Sequence, residues 1–286
     1  MIHVFNTKKV VEQFTHSFVK NLSHKIYKNA KGTGEEFFNE YWPDFRDDIR
    51  DGDEIAFQGI IRNTHTLKKY FDKHNWYYFD QPYFFVTHYK NHPVFNDVWY
   101  RVIKNNTQKN YIDINSKHKE RFEKIYQKTT AEIKLKPWRK YGKHILVIPP
   151  SAHTAKWYGI DRHIWEEKTV KELKKHTDRP IRVRQKFTNN ADFGEVIKKP
   201  LEQDFKDCWA IVSWHSMCAS QAVVQGIPSF SSEHSPAFPV SYSLQELNQI
   251  EKPKISDREQ WLYSLLGSQF TIEEMKSGFA YKYINE

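Results

Sequence analysis

AIVSWHSMCASQAVVQGIPSFSSEHSP, residues 210–236, decides how the rest of the chain is read. Its apolar run Ala210-Ile211-Val212 enters a polar turn, Ser213-Trp214-His215-Ser216, after which Ala219, Ala222 and Val223 recur at helical spacing. Gly226 is placed to end that helix, because glycine accepts the left-handed backbone of a C-terminal cap. Ile227-Pro228-Ser229-Phe230 then reads as the next strand. This succession predicts an α/β unit. In such a sheet the first turn of the helix lies at the carboxyl ends of the strands, with N–H groups and the positive end of the helix dipole facing the crevice. A second polar loop, Ser231 to Pro236, follows the next strand, so two polar loops are expected to line one pocket. A diphosphate suits that position. Neither Gly-x-Gly-x-x-Gly nor Gly-x-x-x-x-Gly-Lys-Ser/Thr occurs, which argues against a common dinucleotide site and a P-loop.

The 286 residues suit one large or two medium domains with a substantial core. Aromatic residues reach 16%, enough to supply stacking surfaces as well as core. No apolar run approaches the ~20 residues of a membrane span, and the start, MIHVFNTKKVVEQF, lacks a secretory h-region. With only Cys208 and Cys218 present, the expectation is a cytoplasmic protein without stable membrane insertion. No Cys-x-x-Cys or His-x-His pattern suggests a metal site. The carboxylates between Asp44 and Glu54 fit no EF-hand spacing and read as a solvated face. The net charge is +9, and residues 101–143 alone carry an excess of that size.

From the start, Ile2 to Phe5 reads as a strand, and Val10 to Leu22 as a helix. Ile55 to Ile60 reads as a strand, Thr66 to His74 as a helix, and Trp76 to Asp80 as a strand ending in an acid. This rhythm implies a parallel sheet. Asp80 falls where functional groups of such sheets collect, although a cap or turn role is the commoner one. Residues 81–110 show no clean periodicity, and 117–143 reads as a basic helix with a basic tail around Pro137. The second half begins with the strand His144 to Ile148, followed by the polar loop Ser151 to Thr154. Trp165 to His176 reads as a helix. Alternation along Pro180 to Arg184 puts Arg182, Arg184 and Lys186 on one face, opposite Ile181 and Val183. Capping boxes at Ser256/Glu259 and Thr271/Glu274 predict terminal helices over 257–266 and 272–283. The predicted fold class is α/β, with domains at 1–143 and 144–286.

The second half, with its Pro-Pro-Ser loop, cationic strand, polar turn and Gly-Ile-Pro strand, resembles glycosyltransferases of the GT-B type, which have two Rossmann-like domains facing a central cleft. SWHSMCASQAVVQGIPSF looks like the donor segment of that superfamily, over roughly residues 144–240. REQWLYSLLGSQFTIEEMKSGFAYKYI, WYRV and FDQPYF are similar to a group of phage-encoded proteins associated with this fold and with DNA modification. The resemblance implies a metal-independent hexosyl- or pentosyltransferase, with a nucleotide sugar in the C-terminal domain, the acceptor in the N-terminal domain, and chemistry in the cleft. A UDP-sugar is the expected co-substrate, and no other cofactor is implied. On this chain Ser213, His215 and Ser216 would meet the diphosphate with help from Arg184 and Lys186. Ser151 would line the cleft, and Glu233 would hold ribose or sugar hydroxyls. For an inverting reaction Asp80 is the candidate base, with Asp97 and His88 in reserve.

The basic stretch selects among acceptors. Duplex DNA rewards clustered cations through counterion release, so the first expectation is a hydroxymethylpyrimidine in double-stranded DNA, flipped into the cleft. Arg101, Lys104 and Lys109 would contact backbone, and Trp99 or Tyr100 would fill the vacated stack. For a phage protein, the compartment would be the host cytoplasm. The alternative acceptor is a surface polysaccharide or lipid-linked sugar, with the basic segment facing an anionic membrane. A third reading is a non-enzymatic nucleic-acid-binding protein.

Overall fold

The computed structural model describes residues 1–5, 12–27, 48–60, 64–84, 99–108, 116–128, 133–184, 200–253 and 255–286. It divides into two units, one of residues 1–113 with 264–286 and one of residues 114–263.

The first unit holds a six-stranded sheet. Its strands are β1 (Ile2–Phe5), β2 (His24–Tyr27), β3 (Glu54–Gln58), β4 (Trp76–Asp80), β5 (Trp99–Lys104) and β11 (Gln269–Thr271), in the order β11-β5-β4-β3-β1-β2. β2, β1, β3 and β4 run parallel, while β5 pairs antiparallel with both β4 and β11. The interior is aromatic: Phe5, Phe18, Phe57, Tyr77, Tyr78, Phe79 and Tyr83 are fully buried. Helix α1 (Glu12–Val19) connects β1 to β2, and a 3-10 helix, Thr64–Tyr70, stands where the sequence predicts a helix.

The second unit holds a five-stranded, fully parallel sheet. Its order is β10 (Tyr242–Ser243), β9 (Ser229–Ser231), β8 (Cys208–Ser213), β6 (His144–Ile148) and β7 (Ile181–Val183). Helix α2 (Ser116–Lys128) precedes the sheet. α3 (Ala152–Tyr158) and α4 (Arg162–Leu173) join β6 to β7, α5 (Leu201–Phe205) precedes β8, and α6 (Met217–Val224) follows it. A strand covered on both faces is apolar on both sides. Accordingly Ile145, Val147, Ala210, Val212 and Phe230 pack with Leu173, Leu247 and Ile250. Leu146, Ile148, Cys208 and Ile211 pack on the other face with Phe205, Ala222 and Ile227. Gly226 ends α6 with φ +78°, and a Cβ there would come within 2.1 Å of the Pro137 carbonyl oxygen. Glycine is required at that position.

The expected boundary at residue 143 is corrected. The basic helix falls in the second unit, and the terminal segment belongs to the first. Its strand β11 extends the first sheet at β5, with Phe84 N–H donating to the Gln269 side chain (2.9 Å). Helix α7 (Glu259–Gly267) spans the change from one unit to the other. The single helix expected over 272–283 is two, α8 (Ile272–Lys276) and α9 (Phe279–Asn285), separated by Gly278 at φ +80°. The Thr271/Glu274 capping box is present. Ser256 forms none: Asp257 accepts from Glu259 N–H instead (3.0 Å), and the buried Ser256 hydroxyl oxygen has no hydrogen-bond partner among the described residues.

Candidate functional site

In the second sheet, β6 is flanked by β7 on one side and β8 on the other. The chain's direction of progress across the sheet reverses between β6 and β8, and ligands of open α/β sheets bind at the carboxyl ends of the two strands flanking such a reversal. The loop leaving β6 is the polar loop Ser151 to Thr154, and the one leaving β8 is the polar turn Ser213 to Ser216.

β8 ends in the buried Ser213, whose Oγ accepts from Ser216 N–H (3.0 Å). Ser216 is the N-cap of α6, in extended backbone, and its Oγ accepts from Cys218 N–H (3.2 Å). The two serines therefore satisfy two N–H groups at this helix start. A bound anion would meet their hydroxyls together with the field of the dipole, about half a positive charge at the helix end. On the neighbouring strand, Ser151 caps α3 in the same way and accepts from Thr154 N–H (3.2 Å).

Rings tie these loops together. Tyr158, at the end of α3, stacks on His234 at 4.4 Å and lies 5.3 Å from His215. Trp214 stands edge-on to Tyr158 and to Trp165 of α4, each at 6.5 Å. The Ser232 hydroxyl donates to the Trp214 carbonyl, joining the β9 loop to the β8 turn. The expected pairing of the two polar loops is thus present. Its aromatic members, Tyr158, Trp165 and His234, were missed in the sequence because each is one ring on a separate element with no shared spacing. An open groove of about 630 Å³ adjoins the cluster. It runs between α4 and the 3-10 helix Leu244–Gln249, and the exposed Glu233 lies on its rim.

Other expected site residues are placed elsewhere. Alternation along β7 holds, with Val183 packed in the core and Arg184 on the opposite face. There Arg184 pairs with Asp204 of α5, so its charge is already met. Lys186 lies outside the described residues, as do Lys109, Asp97 and His88.

Asp80 does stand at the carboxyl end of β4. It accepts from Tyr78 O–H (2.6 Å), Gln81 N–H (2.8 Å) and Arg101 Nη2 (2.7 Å). Arg101 is 2% exposed, lies over the rings of Tyr78 and Tyr83, and donates to Gln108 (3.0 Å). Burial opposes its charge, but the neighbouring Asp80 carboxylate raises its pKa overall. The same burial, reinforced by Asp80, pushes the Tyr78 hydroxyl well above its usual range. Asp80 is thus the part-exposed acceptor of a network whose other side chains, Arg101 and Tyr78, are interior. The assignment of Arg101 to a DNA backbone is corrected: a buried, paired guanidinium has no phosphate within reach. Trp99 is 9% exposed and belongs to the core; Tyr100 is half-buried. Lys104 donates to the Asn285 side chain (2.7 Å).

Among the described residues, no group of three or more His, Cys, Asp or Glu is placed to hold a metal ion, and no helix is long and apolar enough to cross a membrane.

No family model and no curated protein matches the chain. Among solved structures it is similar to the KpsC beta Kdo 2,7 transferase of Thermosulfurimonas dismutans, at 11% identity and a TM-score of 0.46, over 99% of this chain and 98% of that one. It is also similar to the KpsC beta Kdo 2,4 transferase of the same organism, at 11% identity and a TM-score of 0.48, over 99% and 97%.

Proposed function

We propose that the chain is a glycosyltransferase whose second unit binds a nucleotide sugar at the carboxyl edge of its sheet, with a carbohydrate hydroxyl as acceptor. The observation that carries this reading is the convergence, at the β6/β8 reversal, of two serine-capped helix starts and a cage of Tyr158, Trp214 and His234. Flat rings suit a nucleobase or a sugar face. The Ser213 and Ser216 hydroxyls and the α6 dipole would stabilise charge developing on the departing diphosphate. His215, buried against Tyr158, would present its ring to the same group.

A carbohydrate acceptor, on a surface polysaccharide or a lipid-linked sugar, replaces duplex DNA because two arginines of the basic stretch are committed within the fold and two of its exposed lysines are already paired. Arg101 is interior, and Arg139 donates to the Phe205 and Cys208 carbonyls. Lys119 and Lys124 pair with Glu123 and Glu120 on α2. Counterion release needs cations that reach phosphates. The first unit is assigned to the acceptor. With three donors already on its carboxylate, one of them the buried Arg101, Asp80 fits a structural role better than that of the base, and no other base is assigned.

The test is melting temperature against UDP-, GDP-, ADP- and CMP-sugars. A rise with one nucleotide class, lost in Ser216→Ala, is expected. No rise with any donor, or an equal rise in the variant, removes the reading.

A further inference from the structure

The groove shares Trp214 and His234 with the proposed donor cage, and its α4 wall is left without a role by that donor. Trp165, Trp214 and Phe238 give it flat apolar surface, and Lys168, Lys171 and Lys175 stand along its α4 wall. Lys175 is paired with Glu172 at 2.6 Å. The side chains of Lys168 and Lys171 are exposed and make no ion pair or hydrogen bond among the described residues. They sit one turn apart on the helix and line the same cavity as the two tryptophans.

We propose that this groove binds an acidic glycan, a chain of sugars bearing carboxylates. Tryptophan faces pack on the C–H faces of sugar rings, the two ammonium groups meet carboxylates, and Glu233 accepts from sugar hydroxyls. A glycan supplies hydroxyl donors for Glu233 to accept from, which a deoxynucleotide backbone lacks. The openness of the site distinguishes a chain from a small ligand. Lys168, Lys171, Glu233 and Gln245 are all exposed, whereas small-molecule sites typically bury most of their occupant. The inference rests on the proposed carbohydrate acceptor and deepens it, naming the acceptor as anionic and placing part of its binding on the donor unit.

The test is calorimetric titration of the full chain with a galacturonate oligomer, a sialic acid oligomer, a malto-oligosaccharide of equal length and an oligothymidylate. Binding of an acidic oligomer is expected, weakened by salt and weakened about tenfold in the double variant Lys168→Ala/Lys171→Ala. Both lysines are exposed, and an unchanged melting temperature is the control for folding. Failure of both acidic oligomers to bind, preference for the neutral sugar or the oligothymidylate, or unchanged affinity in the double variant overturns the proposal. The two readings fail separately. A chain that binds an acidic oligomer but responds to no nucleotide sugar keeps the groove and loses the transfer activity. A chain stabilised by a donor but indifferent to acidic oligomers loses the groove alone.

Discussion

The two sheets begin alike, each with its first strand flanked by the second and third, and each places polar residues at carboxyl ends. What those residues do differs. At the end of β4, Asp80 is closed into a network with Tyr78, Gln81 and Arg101. At the end of β8, Ser213 and Ser216 cap a helix whose start is ringed by Trp214, His215 and Tyr158 beside an open groove. A polar residue at a strand end is therefore a weak sign of function. The stronger sign is a strand end where side chains from several loops converge and a cavity remains.

The contrast is broken most directly by Asp80→Ala. Removing the carboxylate leaves the Arg101 charge in the interior; losing one partner of a fully buried pair destabilises by about 3–5 kcal/mol, and the part-exposed Asp80 lowers that figure. The lower end is expected, because Gln108 and two tyrosine faces remain on the guanidinium. Asp80→Leu with Arg101→Met should recover most of the loss, as measured by urea unfolding. If Asp80→Ala kept full stability and lost only transfer, Asp80 would belong to the reaction and the two strand ends would be equivalent after all.

Gly226→Ala tests the other unit. The left-handed backbone alone is worth about 1–3 kcal/mol against a side chain, and the new Cβ would also meet the Pro137 carbonyl. A matched loss of stability and donor response is expected, since Gly226 ends the helix whose start is the proposed site. Ser216→Ala should separate the two effects. It removes a cap worth about 1 kcal/mol, so a modest fall in melting temperature should accompany complete loss of the donor-induced rise. Loss of stability with the donor response intact would make Ser216 a cap and nothing more.

Much of the second unit was legible because its elements carry short-range signals. The buried strand His144 to Ile148, the strand-turn-helix around Ser213 and the glycine after α6 each follow from local pattern. The first unit was less so. β5 shows no clean pattern in the sequence because Arg101, a charge at an interior position, interrupts it, and its partner Asp80 lies 21 residues away. β11 is three residues long and pairs with β5 from the far end of the chain, a long-range contact that no local pattern announces. The same limit applies to the site. Ser213, His215 and Ser216 are adjacent in sequence and stand out there as one candidate turn, whereas the Tyr158, Trp165 and His234 rings join that turn only through the fold.

The smallest expected effect compares the amino ends of the two sheets. The first strand of each unit carries a buried histidine, His3 on β1 and His144 on β6. His3 lies between the Tyr27 hydroxyl (2.9 Å) and the Asp53 carboxylate (3.1 Å), while the His144 ring faces the Asp204 carbonyl (3.1 Å). Burial lowers both pKa values below the ordinary 6.5, against the pull of Asp53 in one case and of the Asp204 carbonyl in the other. With a depressed folded pKa, the unfolded chain binds more protons as pH falls below about 6.5, so stability should decline from there until the folded histidines also protonate. His144→Gln and His3→Gln should each flatten part of that decline in melting temperature between pH 7 and 5. Asp53 is itself held below the usual carboxylate range: burial opposes its charge, but the amino terminus and His3 outweigh it. Its contribution is present above about 3.8 and is lost only as pH falls below that value. The two losses should therefore appear as separate steps, and an unchanged upper step in both variants would show that neither histidine is held neutral by its sheet.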